Sequence, residues 1–231
     1  MTSSSTPTAQ EFLGRLATLG PGDRSPAEPY AGIGMGKIFA LAKEYLAMPP
    51  AEIERVLERP HHAARVGAVS IMDWQARARK TTPERRRELF ELYIRRHDLI
   101  DTWDLVDRAA IHVVGEYLVD KPRDILDELA RSSRPMERRT AILSTYAFIR
   151  RGELDDTYRI AEALVDDPED LVHKAVGWML REAGKRDPVR LADFLEKHAA
   201  SMPRVMLRYA IEKLDKPERD RYLRMKGLPS G

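Results

Sequence analysis

The chain has 231 residues, enough for one large domain or two small ones, and a composition of 43% hydrophobic, 33% charged and only 7% aromatic residues suits a helical protein with a sizeable core. It has no cysteine, which excludes disulfides, thiolate zinc sites, iron–sulfur clusters and a cysteine nucleophile. A net charge of +2 excludes a global electrostatic pull on nucleic acid, so any such binding must come from local clusters of cations.

No apolar run approaches the roughly 18 residues that cross a bilayer. The opening "MTSSSTPTAQEF" lacks the basic start and apolar middle of a signal peptide, so a cytoplasmic location without a membrane partner is expected.

Residues 1–8 read as a flexible tail and 20–36, "GPGDRSPAEPYAGIGMG", as a loop, with one short helix between them. Within that loop "GIGMGK" is an incomplete phosphate-loop pattern: Ala31 stands where glycine is required and Ile38 where serine or threonine is required, so it reads as a glycine-rich turn. From there on apolar residues recur at spacings of three and four, and strand signals are nearly absent.

Prolines and capping residues punctuate these helices. First helices are expected to begin near Pro50, Pro83, Pro122, Glu153 and Pro188, and second helices near Pro60, Asp101, Pro135, Pro168 and Pro203. The repeat of about 31 to 41 residues suits stacked helical hairpins. The expected fold is all-α, a curved α-solenoid of HEAT-like repeats in a single domain over residues 9–226, followed by a tail at 227–231. Nothing in the pattern demands more than a monomer.

The arginine runs at 85–87 and 95–96 read mostly as solvated helix faces. The next candidate is "IDTWDLVDRAA" (100–110). Val106, Ala109, Ala110, Val113 and Tyr117 form its core stripe, and Trp103 and Asp107 share one patch at the edge, about 40° apart. Asp101 or Thr102 can cap this helix, and Asp104 can complement its dipole. Asp107 lies past the first turn; it is either a partner in an ion pair or one half of a ring-and-carboxylate site for a cation.

In "RPMERRTAILSTYAFIRRGELDD" (134–156) Pro135 opens a helix with Arg138 and Arg139 in its first turns. Apolar residues run most of the way round, so helix phase does not fix the direction of these arginines. In "DPEDLVHKAVGWMLREAGK" (167–185) Asp167 is the expected N-cap and Pro168 the first helical residue. Val172, Val176, Met179 and Ala183 form the core stripe. Trp178 lies roughly opposite, in one arc with Lys174, Arg181 and Lys185. That face reads either as a tryptophan packed on the next repeat under lysine and arginine stems or as a nucleic-acid surface. Arg204 and Arg208, one turn apart near the end, are weaker phosphate candidates.

The histidines are scattered, and His61 and His62 are adjacent rather than one turn apart, so neither a metal site nor a cofactor is expected.

Over about residues 84–214 the motifs "TWDLVD", "PMERRTAI", "FIRRGELDD" and "HKAVGWMLREAGKRDP", in that order, resemble the AlkD-like DNA alkylation repair glycosylases, an all-helical family of HEAT-like repeats. The resemblance implies that Asp107 is the catalytic carboxylate, Trp103 the aromatic one turn before it, Trp178 the second aromatic of the lesion site, and Arg139 the arginine that holds the DNA backbone nearby. Arg138, Lys174, Arg181 and Lys185 are then the expected DNA-binding cations. The implied function is excision of N3- and N7-alkylated purines from double-stranded DNA by a monofunctional glycosylase that does not flip the base and uses no cofactor. A non-catalytic HEAT-like protein that binds damaged or branched DNA, or a scaffold for a protein partner, would use the same fold.

Overall fold

The computed structural model describes residues 6–20 and 29–225. Residues 1–5 of the expected N-terminal tail, 21–28 of the expected loop and the C-terminal tail at 227–231 lie outside the described residues. Contacts group the chain into two compact units, the first ending at Tyr117 and the second beginning at Leu118.

The first unit holds α1 (Ala9–Thr18), α2 (Met35–Lys43), α3 (Pro50–Leu57), α4 (His62–Arg77), α5 (Pro83–Arg95), a 3-10 turn (His97–Leu99) and α6 (Trp103–Ala109), which runs directly into a π-helical segment (Ala110–Gly115). The second holds α7 (Asp124–Ala130), α8 (Pro135–Ser144), α9 (Tyr146–Ile149), α10 (Asp155–Ala163), α11 (Asp170–Gly184), α12 (Pro188–His198), α13 (Arg204–Ala210) and α14 (Lys216–Arg224). Among the described residues there is no strand. The glycine-rich turn before α2 contains Gly32 at φ 71° and ends on Gly34, the N-cap of α2.

Helix starts follow the local chemistry. Pro83 and Pro188 occupy first turns in which their missing N–H costs nothing, while the Thr82 hydroxyl accepts from Arg85 N–H at 3.2 Å and the Asp187 carboxylate from Arg190 N–H at 3.0 Å.

Within the first unit α3 packs on α4, and α4 on α2 and α6. Within the second α7 packs on α8, α8 on α11, and α11 on α12 and α13. Each unit is therefore a stack of helical hairpins whose second helices lie side by side. Pairings along α4 and α6 ascend together: His62 with Asp104, Ser70 with Arg108, and Asp73 with His112, so the two helices run parallel. The same holds for α8 and α11, where Arg138 meets Asp167 and Arg139 meets Leu171. The stripe expected on α11 is fully buried at Val172, Val176, Met179 and Ala183. Gly177 lets α13 come close, since a Cβ there would lie 2.4 Å from the Met206 carbonyl oxygen and 2.5 Å from Tyr209 Cβ.

Three local features differ from the sequence reading. Helix α11 starts at Asp170 with Glu169 as its N-cap, because Asp167 is buried against Arg138 and uses Oδ1 to accept Glu169 N–H at 2.9 Å. The helix that Pro135 opens is interrupted at Thr145. Two hydroxyls there bond back to the chain, Ser144 to the Thr140 carbonyl and Thr145 to the Ile142 carbonyl, both at 2.7 Å. That stretch ends at Gly152, whose φ of 80° suits glycine. The π-helical turn that follows α6 closes with Glu116 N–H donating to the Ile111 carbonyl at 2.9 Å.

Candidate functional site

In the first unit the site residues stand on α6. Thr102 takes the N-cap position with extended backbone, but its hydroxyl donates to Asp104 Oδ1 at 2.7 Å instead of capping a backbone N–H. Asp104 Oδ2 lies 2.8 Å from His62 Nε2. Burial pushes the Asp104 carboxyl up, but the hydrogen bonds from Thr102 and His62 outweigh it and hold the group below its ordinary range.

Leu105, Val106 and Ala109 turn into the core and Asp104 and Arg108 reach α4, which leaves Trp103 as the exposed residue of α6. Trp103 is 52% exposed, and Asp107 one turn later is half-buried. An indole this exposed loses a large apolar area to water, which is the mark of a contact surface rather than of packing. Trp103 and Asp107 thus stand one turn apart on α6, an exposed ring followed by a half-buried carboxylate.

In the second unit α11 is buried almost all round, and the exceptions include Lys174, Trp178, Arg181 and Lys185. Trp178 is half-buried. Its ring lies 6.4 Å from that of Tyr146 on α9, centroid to centroid, at an interplanar angle of 38°. Lys174 makes no ion pair with the described residues. Lys185 Nζ lies 2.7 Å from Glu182 Oε2, and Arg181 pairs with Glu182 at 3.3 Å and with Glu212. These carboxylates dilute the positive field of the stripe. Beside it is an open depression of about 260 Å³ lined by Tyr146, Ile149, Arg150, Glu182, Lys185 and Arg186.

The paired arginines of α8 separate by role. Arg138 is buried, with Nε 2.5 Å and Nη2 3.1 Å from the two oxygens of Asp167, while Nη1 donates to the Ser132 and Ser133 carbonyls at 2.9 and 3.0 Å. Its guanidinium is committed to internal partners, which makes it a tie between α8 and the start of α11 rather than an open cation. Arg139 is also buried and donates to the Leu171 carbonyl at the first turn of α11.

Sequence reasoning missed Tyr146, Arg150 and Arg186. A signal existed for Tyr146: it follows Arg139 by the same interval that separates Trp178 from Leu171, so parallel neighbouring helices bring the two rings together. Of the basic runs, Arg95 and Arg96 pair with Glu54, and Arg96 also with Glu58, while Arg204 donates to the Leu223 carbonyl at 2.6 Å. Among the described residues no three His, Asp or Glu side chains come together to hold a metal ion, and no helix is long and apolar enough to cross a membrane.

The chain is similar in structure to a protein described as "Predicted DNA alkylation repair enzyme from Enterococcus faecalis": the TM-score is 0.63 at 17% identity, over 90% of this chain and 95% of that one, which shows a shared fold. No curated protein matches it. The sequence profile described as "DNA alkylation repair enzyme" matches residues 14–214, a span that includes both the Trp103/Asp107 patch and the α11 stripe. The chain therefore belongs to the DNA alkylation repair enzyme family.

Proposed function

We propose that this protein is a monofunctional DNA glycosylase that releases N3- and N7-alkylated purines from double-stranded DNA. The observation that carries this reading is the open patch of α6, where exposed Trp103 stands one turn before half-buried Asp107.

Alkylation at N3 or N7 places positive charge on the purine. The base then leaves with the electrons of the N-glycosidic bond and becomes neutral, so no strong general acid is required. The cost lies in the oxocarbenium-like sugar that remains. A fixed carboxylate in partly dehydrated surroundings lowers that cost, and Asp107 has this role. Water adds to C1′, and its proton passes to solvent or through the Asp107 carboxylate, leaving an abasic site.

Trp103 adds attraction for the cationic nucleoside, worth about 0.5–2 kcal/mol per indole face according to desolvation. Trp178 supplies a second such ring. Lys174 and Lys185 act as phosphate partners and not as Schiff-base amines, and Arg181 joins them when DNA competes with Glu182 and Glu212. Arg139, buried and bonded to the Leu171 carbonyl, braces the first turn of α11 under Lys174 and Trp178 from inside the fold. Capture at the exposed indole, without extrusion of the base into a deep pocket, suits the 52% exposure of Trp103.

The test is chromatographic detection of free 7-methylguanine and 3-methyladenine released from methylated duplex DNA. Release supports the reading. Salt-dependent duplex binding without release would make the protein a non-catalytic DNA binder, and absence of both would leave a scaffold.

A further inference from the structure

The first unit contains a buried charged cluster that the excision chemistry does not use. Asp73 on α4 is 1% exposed. Its Oδ1 lies 2.7 Å from His112 Nδ1, and its Oδ2 lies 3.1 Å from Arg108 Nη2 and 3.5 Å from Arg77 Nη1. The contact with Arg108 is an ion pair without hydrogen-bond alignment. Arg108 is further held by the Ser70 hydroxyl, 3.1 Å from Nε, and by two rings, with its guanidinium carbon 4.4 Å from the Phe39 centroid and 5.2 Å from that of Trp74. The Trp74 indole N–H in turn donates to the Phe39 carbonyl at 3.2 Å.

Arg108 is the residue after Asp107, and His112 lies inside the π-helical segment. The two oxygens of Asp73 therefore hold one side chain on each side of the junction at which the α-helix becomes a π-helix. Such a junction changes the phase of the side chains on either side of it, so its place along the helix must be fixed by something outside the helix. At the other end of α6 His62 holds Asp104 at 2.8 Å, and Arg65 holds Asp101 at 3.0 Å. The face made of Asp104, Arg108 and His112 is thus tied to α4 along its length, and the neighbouring face carries Trp103 and Asp107.

We infer that Asp73 is a positioning residue: by gripping Arg108 and His112 it sets the rotation of α6 about its own axis, and with it the direction of Trp103 and Asp107. The catalytic part of this inference rests on the glycosylase reading above. Buried ion pairs contribute little net stability relative to an apolar packing of the same volume, so the role inferred for this one is geometric. Excision needs that geometry, because a carboxylate displaced by about 1 Å from the reacting centre loses on the order of 100-fold in rate.

The experiment uses the full chain labelled with 5-fluorotryptophan, whose three resonances are assigned with single Trp→Phe variants, and compares wild type with Asp73→Asn. The Trp103 resonance is expected to shift or split and that of Trp178 to stay in place. Single-turnover excision should fall by about tenfold or more while the Kd for duplex DNA stays within about twofold, the pattern of an interaction needed only in the transition state. Should Asp73→Asn fail to fold, Ser70→Ala, which removes only the acceptor of Arg108 Nε, tests the same directions at smaller size. A folded variant whose Trp103 resonance coincides with wild type overturns the inference, as does an equal loss of rate and affinity. If Asp107→Asn excises as fast as wild type, the catalytic reading fails, and the Trp103 resonance alone then decides whether Asp73 positions α6.

Discussion

The rings of Tyr146 and Trp178 lie 6.4 Å apart at 38°, a tilted pair contributed by neighbouring parallel helices. Tyr146 is the aromatic neighbour of this half-buried indole. Replacing it with alanine should free Trp178 and weaken binding to alkylated duplex DNA by about 0.5–1.5 kcal/mol, the usual worth of an aromatic pair. A red shift of Trp178 emission in a background that lacks the other two indoles, together with duplex titrations, checks this; unchanged emission and affinity would count against it.

Arg138 and the cations of α11 should separate cleanly by assay. Truncating Arg138 to alanine leaves Asp167 buried without its partner and should cost about 3–5 kcal/mol of stability. The salt dependence of DNA binding should not change. Lys174→Ala should do the reverse, leaving the urea midpoint in place and making the slope of log affinity against log salt shallower by about 0.9. Urea unfolding and binding isotherms at several salt concentrations measure both.

A close approach predicts the effect of one methyl group. At Gly177 a Cβ would meet the Met206 carbonyl oxygen at 2.4 Å, and backbone cannot step aside. Gly177→Ala should therefore destabilise the protein by about 1–3 kcal/mol. Gly14 in α1 has nothing within 4 Å, and alanine there should stabilise by about 0.4–1 kcal/mol. Opposite shifts in Tm of the two variants are the expected result.

Much of this architecture was legible in the sequence. Proline and capping residues mark helix starts by local sterics, and the helices expected near Pro50, Pro60, Asp101, Pro168 and Pro203 begin within two residues of those positions. The buried stripe of α11 followed from helical phase, which placed Trp103 only at the edge of the α6 stripe. What was not legible depends on partners far along the chain. Asp167 looks like a cap until Arg138 claims it, and Tyr146 is hidden among apolar neighbours until α11 lies beside it. The π-helical turn after Ala109 contains His112 and closely follows Arg108, both held by Asp73 from another helix, and no local pattern announces it.

The Asp104 carboxyl gives a pH dependence with a definite sign. Its folded-state pKa lies below the ordinary value of 3.8, because hydrogen bonds from Thr102 and His62 outweigh the opposing effect of burial. A depressed carboxyl contributes stability that is present above its unfolded pKa and is lost as pH falls through the folded value. The difference in urea midpoint between wild type and Asp104→Asn should therefore be present above the ordinary carboxylate range and should close below pH 3.8. A gap that widened in acid would contradict the assignment.

The central claim is that Asp107 performs the chemistry. Single-turnover release of 7-methylguanine from methylated duplex DNA, measured for wild type and Asp107→Asn at saturating protein, tests it most directly. The account predicts release by wild type, loss of at least about 100-fold in rate for the variant, consistent with removal of a charge-stabilising group, and equal affinity for DNA. Release at the same rate by both proteins would contradict it.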